Sequence, residues 1–379
     1  ENLAGVRVIR AFGKERQEVE SFEEKSGQLL SSQLFVGKIS ALLNPVTYVM
    51  INLAIIAVLR VGGGQVYKGI LTQGQVLALY NYMSQILVEL IKMANLILSM
   101  TKATASAKRV AAILALESSL DVPQENPEEP EAAPAVSFDG VTFTYPTGGA
   151  PALSDISFTL EHGKTLGIIG GTGSGKSTLI GLIPRFYDVQ EGCVKVDGCD
   201  VRQYPLETLR RKIGLVPQKA LLFKGTIREN LLWGDEGATD DEIRDALRAA
   251  QAQEVVDGKP EGLDYEVETG GRNFSGGQRQ RLTIARALVR KPEVLILDDS
   301  ASALDFATDA ALRHALRELP WKPAVVIISQ RTASIRFADE ILVLDDGRLA
   351  GRGTHEELLQ TCDVYREIYE SQFKKEDAR

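Results

Sequence analysis

Residues 39–59 (ISALLNPVTYVMINLAIIAVL) and 69–88 (GILTQGQVLALYNYMSQILV) contain no charged side chain. The first run has 21 residues, and about 20 apolar residues in a helix cross a hydrocarbon core. Between the runs lies RVGGGQVYKG, read as a Gly-rich turn, and the apolar pattern resumes after Lys92. The pair predicts a membrane hairpin with helices at about 39–61 and 70–100. Two buried helices of a soluble protein are the competing reading, because Asn44, Asn52, Asn81 and Gln85 soften both runs. Flanking charge favours the hairpin. Arg7, Arg10, Lys14, Arg16, Lys25 and Lys38 precede it, whereas the turn holds only Arg60 and Lys68. Positive charge stays in the cytoplasm, so both ends are expected inside and the turn outside. Pro45 is expected to kink the first helix. Glu89 and Lys92 fall in the second apolar stretch; they face a cavity or partner, or sit near its cytoplasmic end.

The chain has 379 residues, room for two or three domains. Its net charge of −8 gives no basic face of the kind nucleic acid requires. Cys193, Cys199 and Cys362 form no ligand spacing and read as free thiols of a reducing compartment. The three histidines are scattered, so no histidine metal cluster is expected. The chain opens on Glu1 without a signal peptide, which reads as a fragment lacking an N-terminal part. Residues 118–135 (SSLDVPQENPEEPEAAPA) are rich in Pro and Glu and read as a linker. From Val136 onward strands alternate with helices, an α/β pattern. KTLGII (164–169), EVLILD (293–298) and KPAVVIIS (322–329) have the character of strands buried on both faces.

GGTGSGKST, 170–178, follows the first of these strands and opens a helix. It fits the phosphate-loop pattern. Gly170, Gly171, Gly173 and Gly175, with Thr172, Ser174 and Thr178, let backbone N–H groups curl around phosphate oxygens. Lys176 is expected to reach the β- and γ-phosphates of ATP, and Ser177 to ligate Mg²⁺. Asp298 ends the strand VLIL and takes the Walker B place, holding Mg²⁺ directly or through an intervening ligand. Ser275 and Gln278 are spaced as a capping box, so a helix is expected to start there with Gly276 and Gly277 open to a ligand.

FSGGQRQRLTIARAL, 274–288, closely resembles the signature motif of ABC-transporter ATPase domains. SALD (302–305), ending in Asp305, resembles their D-loop. Gln218 in GLVPQKALLF resembles their Q-loop glutamine, a further Mg²⁺ contact, and Tyr145 in VTFTYP resembles the aromatic that stacks on adenine. The resemblance covers 136–379. ENLAGVRVIRAFGKE resembles the cytoplasmic stretch between the fourth and fifth membrane helices of ABC exporters, and GILTQGQVLALYNYMSQIL the start of the sixth. It implies an exporter half-transporter of a bacterial plasma membrane, lacking four membrane helices. Residues 1–117 belong to the membrane domain, 118–135 to the linker and 136–379 to the ATPase domain. The implied fold is two spanning helices followed by an α/β P-loop NTPase domain with an antiparallel β subdomain and a helical subdomain. In this family two such domains meet head to tail, and each signature closes over the other's ATP. The stretch 12–22 would include the coupling helix that docks on the partner, and ETGGRN (268–273) the segment that touches such helices; a solvated charged face and a surface loop are the alternatives. TDDEIRDALRAA (239–250) and GTHEELL (353–359) predict capped helices. His355 is expected to be structural, and Trp233 and Trp321 to be packing residues.

Two departures from the family pattern fall together. The residue after the Walker B aspartate is glutamate in the family and Asp299 here, shorter by a C–C bond of about 1.5 Å. VVIISQRTAS (325–334) resembles the switch segment, where the family has histidine and this chain has Gln330. An amide hydrogen-bonds a γ-phosphate but carries no imidazolium charge. With Lys176, Ser177 and Asp298 intact, the resemblance implies a site that binds ATP–Mg²⁺ and hydrolyses slowly, beside a competent site on a different partner chain. A backbone shift that lets Asp299 work is the alternative, and a homodimer would join two slow sites. The competing functions are a regulatory nucleotide-binding subunit and a soluble ABC ATPase of DNA repair or translation. Membrane lipid and an exported substrate are implied; drug, lipid and peptide cargo are not distinguished.

Overall fold

The computed structural model describes residues 2–116, 120–146, 148–300 and 302–373. Ser118 and Ser119 of the linker and the Asn44 side chain lie outside the described residues. The chain divides into two compact units, Glu1–Glu117 and Ser118–Arg379.

The first unit is helical: α1 (Asn2–Ala11), α2 (Glu15–Tyr67) and α3 (Gln73–Leu114). α2 has 53 residues, about 80 Å at 1.5 Å per residue. That is well over twice the hydrocarbon thickness, so the charged first part of α2 continues beyond the membrane. Pro45 lies inside the helix, which runs on past it. The expected Gly-rich turn needs correction. Helix continues through Gly62, Gly63 and Gly64 to Tyr67, and the reversal is confined to residues 68–71. Gly62 serves close approach instead: a Cβ there would sit 3.0 Å from both methyls of Val76 on α3, whereas one on Gly63 or Gly64 would meet nothing within 4 Å. Thr72 caps α3 in a reciprocal box with Gln75. Leu42, Val49, Leu53, Ile56, Leu79, Ile86 and Ile97 are all exposed, a surface that lipid satisfies and water does not. Asn52 and Ser84, polar residues inside the spans, bond back to their own helix. Asn52 Nδ2 donates to the Tyr48 carbonyl at 2.8 Å and Ser84 Oγ to that of Tyr80 at 3.1 Å. Glu89 and Lys92 pair with each other at 2.7 Å.

The second unit begins with β1 (Val136–Phe143), β2 (Leu153–Leu160), β3 (Thr165–Gly170), α4 (Lys176–Leu182), β4 (Glu191–Val196), β5 (Cys199–Asp200), α5 (Leu206–Lys212) and β6 (Ile213–Val216). A helical group follows: β7 (Gly225–Thr226), α6 (Ile227–Leu232), α7 (Asp240–Ala249), α8 (Gln253–Asp257), β8 (Glu266–Val267) and α9 (Gly276–Val289). The chain then returns through β9 (Val294–Asp298), α10 (Phe306–Arg317), β10 (Ala324–Ile328), α11 (Thr332–Ile335), β11 (Glu340–Asp345), β12 (Arg348–Gly353), α12 (His355–Thr361) and α13 (Asp363–Phe373). One sheet is antiparallel, in order β2-β1-β4-β5, and the central sheet has order β12-β11-β3-β10-β9-β6. Within the central sheet only β12 runs antiparallel to its neighbour.

The central strands are apolar throughout because both faces are covered. Val294, Ile296, Val326, Ile328, Leu342 and Leu344 pack with α4 and the antiparallel sheet. Their alternates Leu295, Leu297, Val325, Ile327, Ile341 and Val343 pack with α9, α10 and the helical group. The period of two thus divides one run of residues between two cores.

The linker stretch has no regular structure over 120–135, but it is no free tether. Arg185, 1 % exposed, donates from Nη2 to the Asp121 carbonyl at 2.7 Å. Cys199 Sγ reaches the Glu128 carbonyl at 3.2 Å, and Tyr204 OH donates to Glu129 Oε1 at 3.0 Å. Lys212 joins Glu129 to Asp197, at 3.0 and 2.7 Å. Burial alone would lower the Lys212 ammonium, but its bonds to Asp197 and Glu129 raise it above the ordinary lysine range. Lys212→Met leaves Asp197, 6 % exposed, without its main counter-charge. Urea unfolding of the ATPase domain should show a loss of about 3 kcal/mol. Glu129→Gln, at a more exposed position, should cost under about 1 kcal/mol.

Candidate functional site

The site is built where the parallel strands end, the usual ligand edge of such sheets. β3 stops at Gly170 and α4 starts at Lys176. The loop between them closes only with glycine at two points. Gly175 has φ +96°, and a Cβ there would lie 2.7 Å from Leu153 Cδ2 and 2.8 Å from the Ala152 carbonyl. A Cβ on Gly170 would overlap the Leu344 carbonyl. Lys176 Nζ folds over the loop and donates to the carbonyls of Gly170 (2.9 Å) and Gly171 (2.6 Å) and to Ser174 Oγ (3.3 Å). Burial lowers its pKa, opposed by the carboxylates of Asp298 and then Asp299. Ser177 is exposed at the start of α4 and Thr178 is buried. The Thr178 hydroxyl is engaged with Tyr145 OH at 3.0 Å. The Tyr145 ring stands edge-on to Phe143 and Tyr187.

Asp298 ends β9, directly opposite Ile328 of β10. Burial raises its carboxyl, and the charge of Asp299 raises it further, against Lys176. Asp299 has φ +44°, a left-handed conformation that Asp tolerates better than longer side chains. Its N–H donates to the Ile328 carbonyl at 2.9 Å. Its own carbonyl accepts from Ser302 Oγ at 2.7 Å. Gln218, just beyond β6, approaches Asp299 Oδ2 through Nε2 at 3.4 Å. Gln330 is exposed two residues after Ile328. The structure therefore joins Gln218, Asp298, Asp299, Lys176 and the Gln330 segment at one sheet edge. Ser177, Gln218 and Asp298 offer hydroxyl, amide and carboxylate oxygens, the hard donors that suit Mg²⁺ when phosphates complete its shell.

The signature segment stands on α9. Ser275 Oγ accepts from Gln278 N at 3.2 Å, and Gln278 Oε1 accepts from Ser275 N at 2.9 Å. Gly276 has open space around its Cβ position. A Cβ on Gly277 would lie 3.1 Å from the Ala303 carbonyl of the 302–305 loop. Arg279 donates to the Phe274 carbonyl at 2.7 Å and Arg281 to that of Gln251 at 2.6 Å, so neither simply extends into solvent. Asp305 caps α10, accepting from Thr308 N and Oγ1, both at 2.9 Å. The bond from the Thr308 backbone, then its hydroxyl, holds the carboxyl below its ordinary value. Thr239 and Thr354 cap α7 and α12 in the boxes read from sequence. His355 bonds Tyr365 OH through Nδ1 at 2.7 Å. Trp233 corrects its expectation: it is 62 % exposed and stacked on Phe223 at 4.3 Å.

Residues 1–90 match the ABC transporter transmembrane region and 153–302 the ABC transporter family. The chain belongs to the ABC transporters. An uncharacterized ABC transporter ATP-binding protein of Mycobacterium tuberculosis is 41 % identical over 377 residues, 98 % of this chain and 64 % of its own length. A probable multidrug resistance ABC transporter ATP-binding/permease protein of Bacillus subtilis is 38 % identical over 98 % of this chain and 63 % of its own. The structure of a bacterial Atm1-family ABC exporter with ATP bound superposes with a TM-score of 0.87 at 29 % identity, covering 98 % of this chain and 65 % of that one. The chain thus spans less than two thirds of the length of these relatives. This ABC transporter chain joins an exporter-type membrane region to its ATPase domain, which lies on the cytoplasmic side in this fold.

Sequence reasoning missed Gln372. It lies 42 residues beyond Gln330, and its only sequence signal is a polar residue continuing the apolar face of a C-terminal helix. The loop geometry makes a sharp contrast testable by nucleotide binding. Gly175→Ala should lose ATP affinity by at least about a hundredfold, since strain and overlap act together. Gly171→Ala, whose Cβ meets nothing within 4 Å, should stay within about threefold by the same packing argument.

Proposed function

We propose that this chain is the ATP-binding and permease subunit of an ABC exporter. Its own nucleotide site holds ATP–Mg²⁺ and turns over slowly, while its signature serves a competent site on a different half-transporter. The observation that carries this reading is the double fastening of Asp299. Its N–H is held by Ile328 and its carbonyl by Ser302. The backbone is pinned on both sides, so it does not move forward to make up for the missing methylene. A base must come within about 2.6–3.2 Å of its proton carrier, and a misplacement near 1 Å costs about a hundredfold in rate.

The geometry supports the following roles. Lys176 would exchange its loop carbonyls for phosphate oxygens. Ser177, Gln218 and Asp298 would hold Mg²⁺, which offsets phosphate charge when bound. Asp299 and Gln330 are the nearest candidates to orient water and γ-phosphate. Tyr145, fixed through Thr178 to the start of α4, would meet the adenine. Ser275, Gly276, Gly277 and Gln278 present a helix start, an anion site, toward the partner's ATP, with Asp305 stabilising the adjoining loop.

Phosphate release by the chain alone and with its co-purifying partner tests this. Asp299→Glu with Gln330→His should raise turnover by one to two orders of magnitude, on the order of the cost of a 1 Å misplacement. The left-handed backbone should make the glutamate variant slightly less stable. Brisk hydrolysis by the lone chain, unchanged by Asp299→Asn, would refute the reading.

A further inference from the structure

The switch segment has an anchor outside the nucleotide site. α11 begins at Thr332, and its N-cap residue is Arg331, whose side chain makes no cap and has no acceptor to offer. Ser, Thr, Asp or Asn normally fills that place. The N–H of Thr332, a residue with no exposed surface, is satisfied from α13 instead. Thr332 N and Oγ1 both donate to Gln372 Oε1, at 2.9 and 3.0 Å. The same amide donates through Nε2 to the Gln330 carbonyl at 2.7 Å. One planar group therefore clamps Gln330 and Thr332 together. An unionised carboxamide supplies both a donor and an acceptor there, as a carboxylate does not.

Both ends of the clamp are fixed. Upstream, Ser329 N donates to the Ile168 carbonyl at 3.2 Å, and Ser329 Oγ accepts from Arg331 N at 2.9 Å. At the other end, α13 is held by Tyr365, fully buried, and by Ile368, packed on the same core. Residues 365, 368 and 372 follow the i, i+3, i+7 spacing of one helix face. α11 has four residues, too few to hold its own shape without such tertiary support.

We propose that Gln372 is a positioning residue for the γ-phosphate side of the nucleotide site, holding the 330–332 segment so that Gln330 faces the nucleotide. The inference rests on the reading of Gln330 under the proposed function. ATP and ADP differ at that phosphate alone, so the clamp sets the preference of this chain for ATP over ADP.

The test is photolabelling of this chain by azido-ATP in the intact transporter on ice, competed with ATP and with ADP. In Gln372→Ala the ATP-to-ADP affinity ratio should fall by about threefold to tenfold, the worth of one hydrogen bond, with ADP competing as in the wild type. Gln372→Glu keeps the acceptor for Thr332 and loses the donor to Gln330, and it should show the same fall. It also serves if the alanine variant does not fold. An unchanged ratio in either variant, or ATP and ADP weakening together, overturns the positioning role. Gln330→Ala separates the two levels. A fall there with none in the Gln372 variants defeats the clamp alone. An unchanged ratio in Gln330→Ala removes the Gln330 reading and the clamp with it.

Discussion

The hydrogen bond from Asp299 N–H to the Ile328 carbonyl, 2.9 Å long, ties the two halves of the hydrolytic edge together. It extends the pairing of β9 with β10 by one residue, just past the Asp298–Ile328 register. Beyond it the chains diverge, one into the 302–305 loop and the other into the switch segment. Whatever moves Ile328 moves Asp299, and the reverse. The left-handed turn at Asp299 swings its side chain out of the strand and favours the short acid over a longer one. On the proposed reading, that short acid lacks the reach of a glutamate at the same backbone position.

That edge is rigid because the sheet beneath it is buried on both faces. The alternation of 294 to 297 and 324 to 328 between two cores leaves no free face along which a strand would slip in register. The linker adds a second fastening: Arg185, just beyond the phosphate-loop helix, grips the backbone at Asp121. The chain leading to the membrane helices is thus bonded to the domain that binds nucleotide. The membrane unit itself meets the demand of lipid in the ordinary way, with apolar residues outward and the side chains of Asn52, Ser84, Thr101 and Thr104 bonded within their own helix.

Much of this was legible in the residues. Ser275 with Gln278, Thr239 with Glu242 and Thr354 with Glu357 are local patterns, and local hydrogen bonds decide them. The phosphate loop was legible because only glycine fits its close approaches. Residues 62–64 differ from the expectation because glycine signals a turn in water, whereas a membrane helix tolerates it, and at Gly62 it allows close approach to Val76. The linker was read from composition, which shows that it forms no helix but not that Arg185, Tyr204 and Lys212 would bind its backbone and Glu129. Trp233 was assigned to packing on residue type alone. The contact of Gln372 with Gln330 and Thr332 joins segments about 40 residues apart, and no period or motif encodes such a meeting.

Vanadate trapping in the assembled transporter, with the trapped nucleotide assigned to each chain, tests the central claim most directly. A carboxylate held short of its water predicts trapped ADP almost wholly in the partner's phosphate loop, with intact ATP retained in the loop formed by residues 170–178. Equal trapping in both loops would contradict the account.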